Sequence, residues 1–223
     1  MKNLLCGKAP EWLKSAFKHY DINIIENGRC DALSEATAHH IDLVLVKIGE
    51  RWFGKDDISN KLTDRYPGDV PLNVASLGNT IICNPNTCAK EILDYATQNE
   101  MNIIKVKQGY TKCSILIVND HAIITEDEGI YKAVLDSGYK IDALLIKKGY
   151  VSLLGYNYGF IGGASVALDE NVFFFGAIQK HPDYDKIKVF LNKQGKQIIQ
   201  LSDDKQLLDI GGCVEYELKE RKS

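Results

Sequence analysis

Apolar residues along this chain fall into short runs separated by turn formers, and the runs come in pairs. Leu43-Val44-Leu45-Val46 is followed by Lys47-Ile48-Gly49-Glu50 and then Arg51-Trp52-Phe53. Asn73-Val74-Ala75-Ser76 faces Thr80-Ile81-Ile82-Cys83 across Leu77-Gly78-Asn79. Ser114-Ile115-Leu116-Ile117-Val118 faces Ala122-Ile123-Ile124-Thr125 across Asn119-Asp120-His121. Ala164-Ser165-Val166-Ala167-Leu168 faces Val172-Phe173-Phe174-Phe175 across Asp169-Glu170-Asn171. Short β-rich runs joined by Gly, Asn or Asp predict hairpins, since those residues tolerate the tight backbone of the turn.

A helix and a further apolar strand follow three of these hairpins. Asn86 or Thr87 is placed to cap a helix over 88–99, before Asn102-Ile103-Ile104-Lys105-Val106. Thr125 and Glu128 have capping-box spacing ahead of Ile130-Tyr131-Lys132-Ala133-Val134-Leu135. Gly138 suits the end of that helix, and Ile141–Ile146 follows. Pro182 suits a first helical position before Tyr184, Ile187, Phe190 and Leu191; Gly195 then precedes Gln197–Leu201. In the second unit, Asp56–Leu62 has room only for a short helix, and Tyr66–Pro71 reads as a loop.

The two ends carry half-units. Leu4-Leu5-Cys6, a helix over 10–19 and Ile22-Asn23-Ile24-Ile25 lack a leading strand, while the closing run Cys213–Leu218 lacks a return strand. Pairing them completes a fifth unit, removes an open sheet edge and ties down both termini. The expected fold is therefore α/β in a single domain over 1–223, a five-bladed α/β propeller closed by the N- and C-terminal strands. An ordinary open α/β sheet is the competitor, but it calls for single strands between helices rather than hairpins.

Composition narrows the field. The chain has 223 residues, 45% hydrophobic and 26% charged, which excludes wholesale disorder. A net charge of −3 leaves no basic footprint for nucleic acid. No apolar run nears the roughly 20 residues that cross a bilayer. Met1–Gly7 turns polar too early for a signal peptide, so a cytoplasmic location is expected. The six cysteines are read as reduced thiols. Cys83 and Cys88 are spaced too widely for a usual zinc pair and no second pair follows, so no metal is expected.

In a closed ring the residues that open each hairpin line the axis, where a ligand would bind. These include His40 and Asp42, Asn73, Lys112 and Cys113, Tyr158 with Gly162-Gly163, and Asp209 with Gly211-Gly212. His40 beside Asp42 suits a base, and Lys112 beside Cys113 favours a thiolate. Each also has a plainer structural explanation as a buried, backbone-bonded histidine or as core filler. The paired glycines lead into strands, so they are not a dinucleotide loop, and no cofactor is expected.

The ring with these opening residues resembles the pentein fold of guanidine-modifying enzymes: arginine and agmatine deiminases, dimethylargininase and amidinotransferases. Translation initiation factor 6 looks similar in architecture. Lys107–Ser114 and Gly155–Gly163 resemble an uncharacterised bacterial family assigned to that fold. The resemblance implies a cysteine in the last blade after a Gly-rich turn, and Cys213 holds that place. It also implies a Glu-Gly-Gly-Asp element and a histidine from the fourth blade. Here Ile161-Gly162-Gly163-Ala164 lacks both acids, and Gly155–Phe160 contains no histidine.

Three functional classes follow. The favoured one is a pocket for a small polar ligand, amino-acid-like or guanidino, in the central channel. Asn73, Lys112, Cys113, Tyr158, Gly162, Gly163 and Asp209 would bind it. A thiol-dependent amidine hydrolase or transferase would use Cys213 with His40 and Asp42. A non-catalytic protein-interaction module would show a broad exposed apolar patch instead.

Overall fold

The computed structural model describes residues 2–216. The chain opens with β1 (Lys2–Cys6), α1 (Glu11–Lys18) and β2 (Ile22–Glu26), followed by the hairpin β3 (Leu45–Ile48) and β4 (Arg51–Gly54). Next come β5 (Ala75–Leu77), β6 (Thr80–Cys83), α2 (Lys90–Gln98) and β7 (Asn102–Lys105). The same order recurs in β8 (Ile115–Asn119), β9 (Ala122–Thr125), α3 (Glu128–Asp136) and β10 (Asp142–Leu145). After the short β11 (Val151–Ser152), it recurs again in β12 (Ser165–Leu168), β13 (Asn171–Phe174), α4 (Tyr184–Lys193) and β14 (Gln197–Gln200). The chain ends in β15 (Leu207–Leu208) and β16 (Cys213–Glu215).

Each full unit is a three-stranded sheet with an antiparallel hairpin and a parallel third strand brought back by the helix. The second unit keeps only β3 and β4. Asp56–Leu62 forms turns and bends rather than the expected short helix, because its side chains are mostly exposed and only Ile58 and Leu62 reach the core, too few to hold one turn in place. The terminal strands pair as anticipated: β1 runs antiparallel to β16, with Leu4 opposite Glu215, Leu5 opposite Val214 and Cys6 opposite Cys213. Glu217 and Leu218 of the expected closing strand lie outside the described residues.

The hydrophobic core is divided into layers between neighbouring sheets. Val46 and Phe53 pack with Ile81 and Ile92; Leu77 and Ile82 pack with Ile123 and Ile130. Leu116 and Ile124 meet Phe174 and Ile187, and Val166 and Phe173 meet Leu4 and Leu13. The last layer is anchored by α1, whose Phe17 ring lies 5.7 Å from both Phe173 and Phe175. Burying such a ring contributes about 2–3 kcal/mol. β8 also touches β5 and β12, and β12 touches β16. Among the described residues no helix is long and apolar enough to cross a membrane.

Helix starts differ in detail from the sequence reading. The cap of α3 is Asp127, whose Oδ1 accepts the Ile130 N–H at 2.8 Å; Thr125 instead accepts the Asp127 N–H through Oγ1. Aspartate reaches that donor as well as threonine does and adds charge at the positive helix end. Ala89 precedes α2 without a side-chain cap. Asn84 takes the polar turn before it, accepting the Asn86 N–H. Pro182 lies two residues ahead of α4, where His181 Nδ1 accepts the Asp183 N–H at 3.1 Å.

Candidate functional site

The hairpin-opening segments converge and are stitched together by backbone bonds. Asp42 N–H donates to Gly211 O, Gly162 N–H to Cys113 O, and both Ile210 and Gly212 N–H groups to Gly163 O. Glycine is required here for close approach. A Cβ on Gly162 would collide with the carbonyls of Lys112, Cys113 and Ile115, and one on Gly211 would enter His40. Gly211 also has φ +79°, which other residues rarely adopt. The two glycine pairs thus admit neighbouring parts of the chain itself.

Inside this stitching lies a buried polar cluster. The Cys113 thiol donates to Asp42 Oδ2 at 3.0 Å. Asn73 bridges the segments: its Nδ2 donates to Asp42 O at 2.9 Å and lies 3.1 Å from Cys113 Sγ, while its Oδ1 accepts the N–H groups of Lys112 and Cys113. His40 Nδ1 is 4.0 Å from Asp42 Oδ1, beyond hydrogen-bond reach. That Oδ1 is buried without a partner in the structure. Burial pushes the Asp42 carboxyl up to about 6, an effect that His40 offsets in part. Asp209 accepts the Phe160 and Gly211 N–H groups, both at 2.9 Å.

Above the cluster is a cup of about 260 Å³. Tyr110, Tyr156, Tyr158 and Phe160 form its walls, and His40, Cys113 and Asp209 contribute polar groups. Tyr110 stacks on Phe160 at 6.0 Å and 26°, and Tyr158 meets Phe160 edge-on at 6.2 Å. The Tyr110 hydroxyl donates to the buried Asp69, and burial followed by that carboxylate pushes its pKa up. No Lys or Arg lines the cup among the described residues.

A second cavity, of about 550 Å³, lies beyond Asp42. Its walls include Val46, Ser76, Ile117, Ala167 and Val214, one residue each from β3, β5, β8, β12 and β16. Lys112 and Cys213 line this second cavity rather than the cup.

A family model described as a family of unknown function, DUF6873, matches residues 4–214. The chain belongs to this family. No curated protein matches the sequence. Among solved structures, dimethylarginine dimethylaminohydrolase from Pseudomonas aeruginosa, a cysteine-to-serine variant complexed with citrulline, superposes with a TM-score of 0.54 at 7% identity. That match covers 96% of this chain and 99% of the other. A dimethylarginine dimethylaminohydrolase adduct with 4-chloro-2-hydroxymethylpyridine gives 0.51 at 8% identity, with the same coverage. An amidinotransferase from Microseira wollei gives 0.49 at 11% identity, covering 91% of this chain and 88% of that one. The neighbours are pentein-fold guanidine-modifying enzymes, and this α/β chain shares their fold.

The sequence candidates therefore divide. Asn73, Cys113, Asp209, His40 and Asp42 gather within one cluster, with Tyr158 on the cup wall. Burial, then the charges of Asp42 and Asp209, pushes the Cys113 thiol up, so it is held protonated as a donor. Cys213 is buried in the terminal-strand seam beside Cys6, and desolvation pushes its thiol up as well. Glu126 escaped the sequence reading because it closes a strand rather than opening one. Asn84, at the same offset after the preceding hairpin, was the available signal: there too the buried position after the middle strand carries a polar side chain, whereas the apolar Phe175 holds it after β13.

Proposed function

We propose that this protein binds a small cationic ligand, with an amidinium, guanidinium or protonated amine head, in the aromatic cup. The observation that carries it is a pair of buried carboxylates with no Lys or Arg bonded to either among the described residues: Asp209 lines the cup, and Asp42 lies behind it, bonded to the cup-lining Cys113 and bordering the second cavity. A cation above them would be held by charge and by the faces of the surrounding rings. Asn73 and Cys113 position Asp42, and His40 and Tyr158 wall the site. Lys112, Gly162 and Gly163 act through the scaffold instead of touching the ligand.

Binding is favoured over turnover. A thiol enzyme needs a thiolate within reach of its base, whereas burial keeps both Cys113 and Cys213 protonated, and only Cys113 faces the cup. An interaction module is less well supported, since the exposed aromatic residues Tyr156 and Tyr158 belong to a concave wall. Closure of the five sheets into a ring is part of the same proposal. The β1–β16 pairing, the layered core and an axial cavity walled by one strand of each of those five sheets, the two-stranded β11–β15 sheet standing apart, support it.

The test is calorimetric titration with butylguanidine against its neutral isostere butylurea. Butylguanidine is expected to bind roughly tenfold or more tightly, a preference lost in Asp42→Asn. Equal binding of the two, or a preference unchanged in that variant, would rule the reading out.

A further inference from the structure

A third pocket, of about 760 Å³, lies on the far side of Tyr158 and Phe160 from the cup. Its floor and mouth differ in chemistry. At the floor Glu126 is only 7% exposed and Ser114 only 1% exposed. Glu126 Oε2 accepts the Ile161 N–H at 3.0 Å, but its Oε1 is buried with no partner, and so is Ser114 Oγ. Unpaired buried polar atoms are costly, so a pocket that keeps two of them is built to satisfy them with something else. A carboxylate oxygen accepts, which calls for an N–H donor. At the mouth stand Lys147 and Lys148, both exposed and without an ion pair among the described residues, and Lys186, which reaches Asp183 at 3.0 Å. Between floor and mouth run the apolar side chains of Leu145, Ile146 and Phe160.

We propose that this pocket is a second ligand site, for a small zwitterion: an ω-amino acid with its ammonium on Glu126 and Ser114, its methylenes along Ile146 and its carboxylate on Lys147 and Lys148. The site lies between β8–β10 and the segment leading to β12, and does not depend on the cup being occupied. Burial pushes the Glu126 carboxyl up to about 7, with a smaller upward push from the Asp209 charge, and a bound ammonium would relieve that penalty. The other charged groups facing the pocket are Asp127, Glu128, Asp183 and the three lysines. Of the acids, Asp127 is engaged as the α3 cap and by Gln108, and Asp183 by Lys186 and the Lys147 N–H.

The experiment is titration of the full chain with 4-aminobutyrate, with butylamine and butyrate as single-charge controls, followed by calorimetry and amide NMR shifts. Stoichiometric binding of 4-aminobutyrate is expected, weakened roughly tenfold or more in Glu126→Gln and in the double variant Lys147→Ala with Lys148→Ala. The glutamine can still accept the Ile161 N–H, and the lysine side chains are exposed, so both variants should fold. Glu126→Gln is also expected to bind butylguanidine as the unaltered chain does, which separates this site from the cup. Three results would each overturn the proposal: no binding at roughly 10 mM probe, undiminished affinity in Glu126→Gln, or butylamine binding as tightly as the zwitterion.

Discussion

Asp42 and Glu126 are two buried carboxylates, one behind the cup and bordering the second cavity, the other at the floor of the larger pocket, and their neighbours separate their roles. Each has one oxygen satisfied and one free. Asp42 is tied to a side-chain donor, the Cys113 thiol, with a histidine nearby and rings above. Glu126 is tied to a backbone N–H and looks past aliphatic side chains toward lysines. On the two proposals, similar burial thus serves a bare cation in one place and a zwitterion in the other. Burial sets the penalty that a ligand can relieve, while the rest of the wall sets which ligand relieves it.

The sharpest way to break the pair apart is Gly211→Ala. The added methyl would strain a left-handed backbone and drive into His40, beside Asp42 and away from Glu126. A loss of about 3 kcal/mol or more is expected in denaturant unfolding, with cup binding impaired. A loss below about 0.5 kcal/mol would mean that the segments are not packed this tightly.

Next in size is the pH dependence of stability. Both folded-state pKa values are raised, from 3.8 to about 6 for Asp42 and from 4.5 to about 7 for Glu126. The folded chain therefore holds protons that the unfolded chain has released. The associated stability is complete below about pH 4 and is lost as pH rises through the folded values. Each group accounts for about 3 kcal/mol of that loss at 1.36 kcal/mol per unit. Glu126→Gln should remove the part centred on the higher value and leave the Asp42 part. Superimposable unfolding free energies for the two chains from pH 5 to pH 8 would contradict this difference.

Much of the framework was legible in the sequence, and the comparison shows where legibility stopped. Hairpins were readable because Gly78, Asn119 and Asp169 interrupt strongly β-forming runs. The β1–β16 pairing was readable because each end lacked the half that the other supplied. His40, Asp42, Asn73, Cys113 and Asp209 were found together because one rule, the residues that open each hairpin, selects all of them. Glu126 and Ser114 were not singled out: the offset that Glu126 shares with Asn84 marks a buried polar position, but the empty hydrogen-bond position that distinguishes the pair exists only in three dimensions. Nor was the partition of candidates between the cup and the second cavity readable, because Cys113 and Lys112 are adjacent in sequence yet face opposite sides of the cluster.

The smallest expected effect tests whether the aromatic partition between the cup and the larger pocket is a passive wall. Tyr110 stacks on Phe160, which borders both pockets, and anchors its ring by donating to Asp69. Asp69 has its other oxygen buried without a partner, so removing the phenol in Tyr110→Phe strands a carboxylate that already lacks one bond. A destabilisation of about 1–3 kcal/mol is expected in denaturant unfolding at neutral pH. The ring itself remains, so butylguanidine affinity should change less than threefold if the wall contributes through its face. Affinity falling as far as in Asp42→Asn would instead assign the hydroxyl a direct part in holding the cation. The comparison would then have to be redrawn with Asp69, not Asp42, as the carboxylate opposite Glu126.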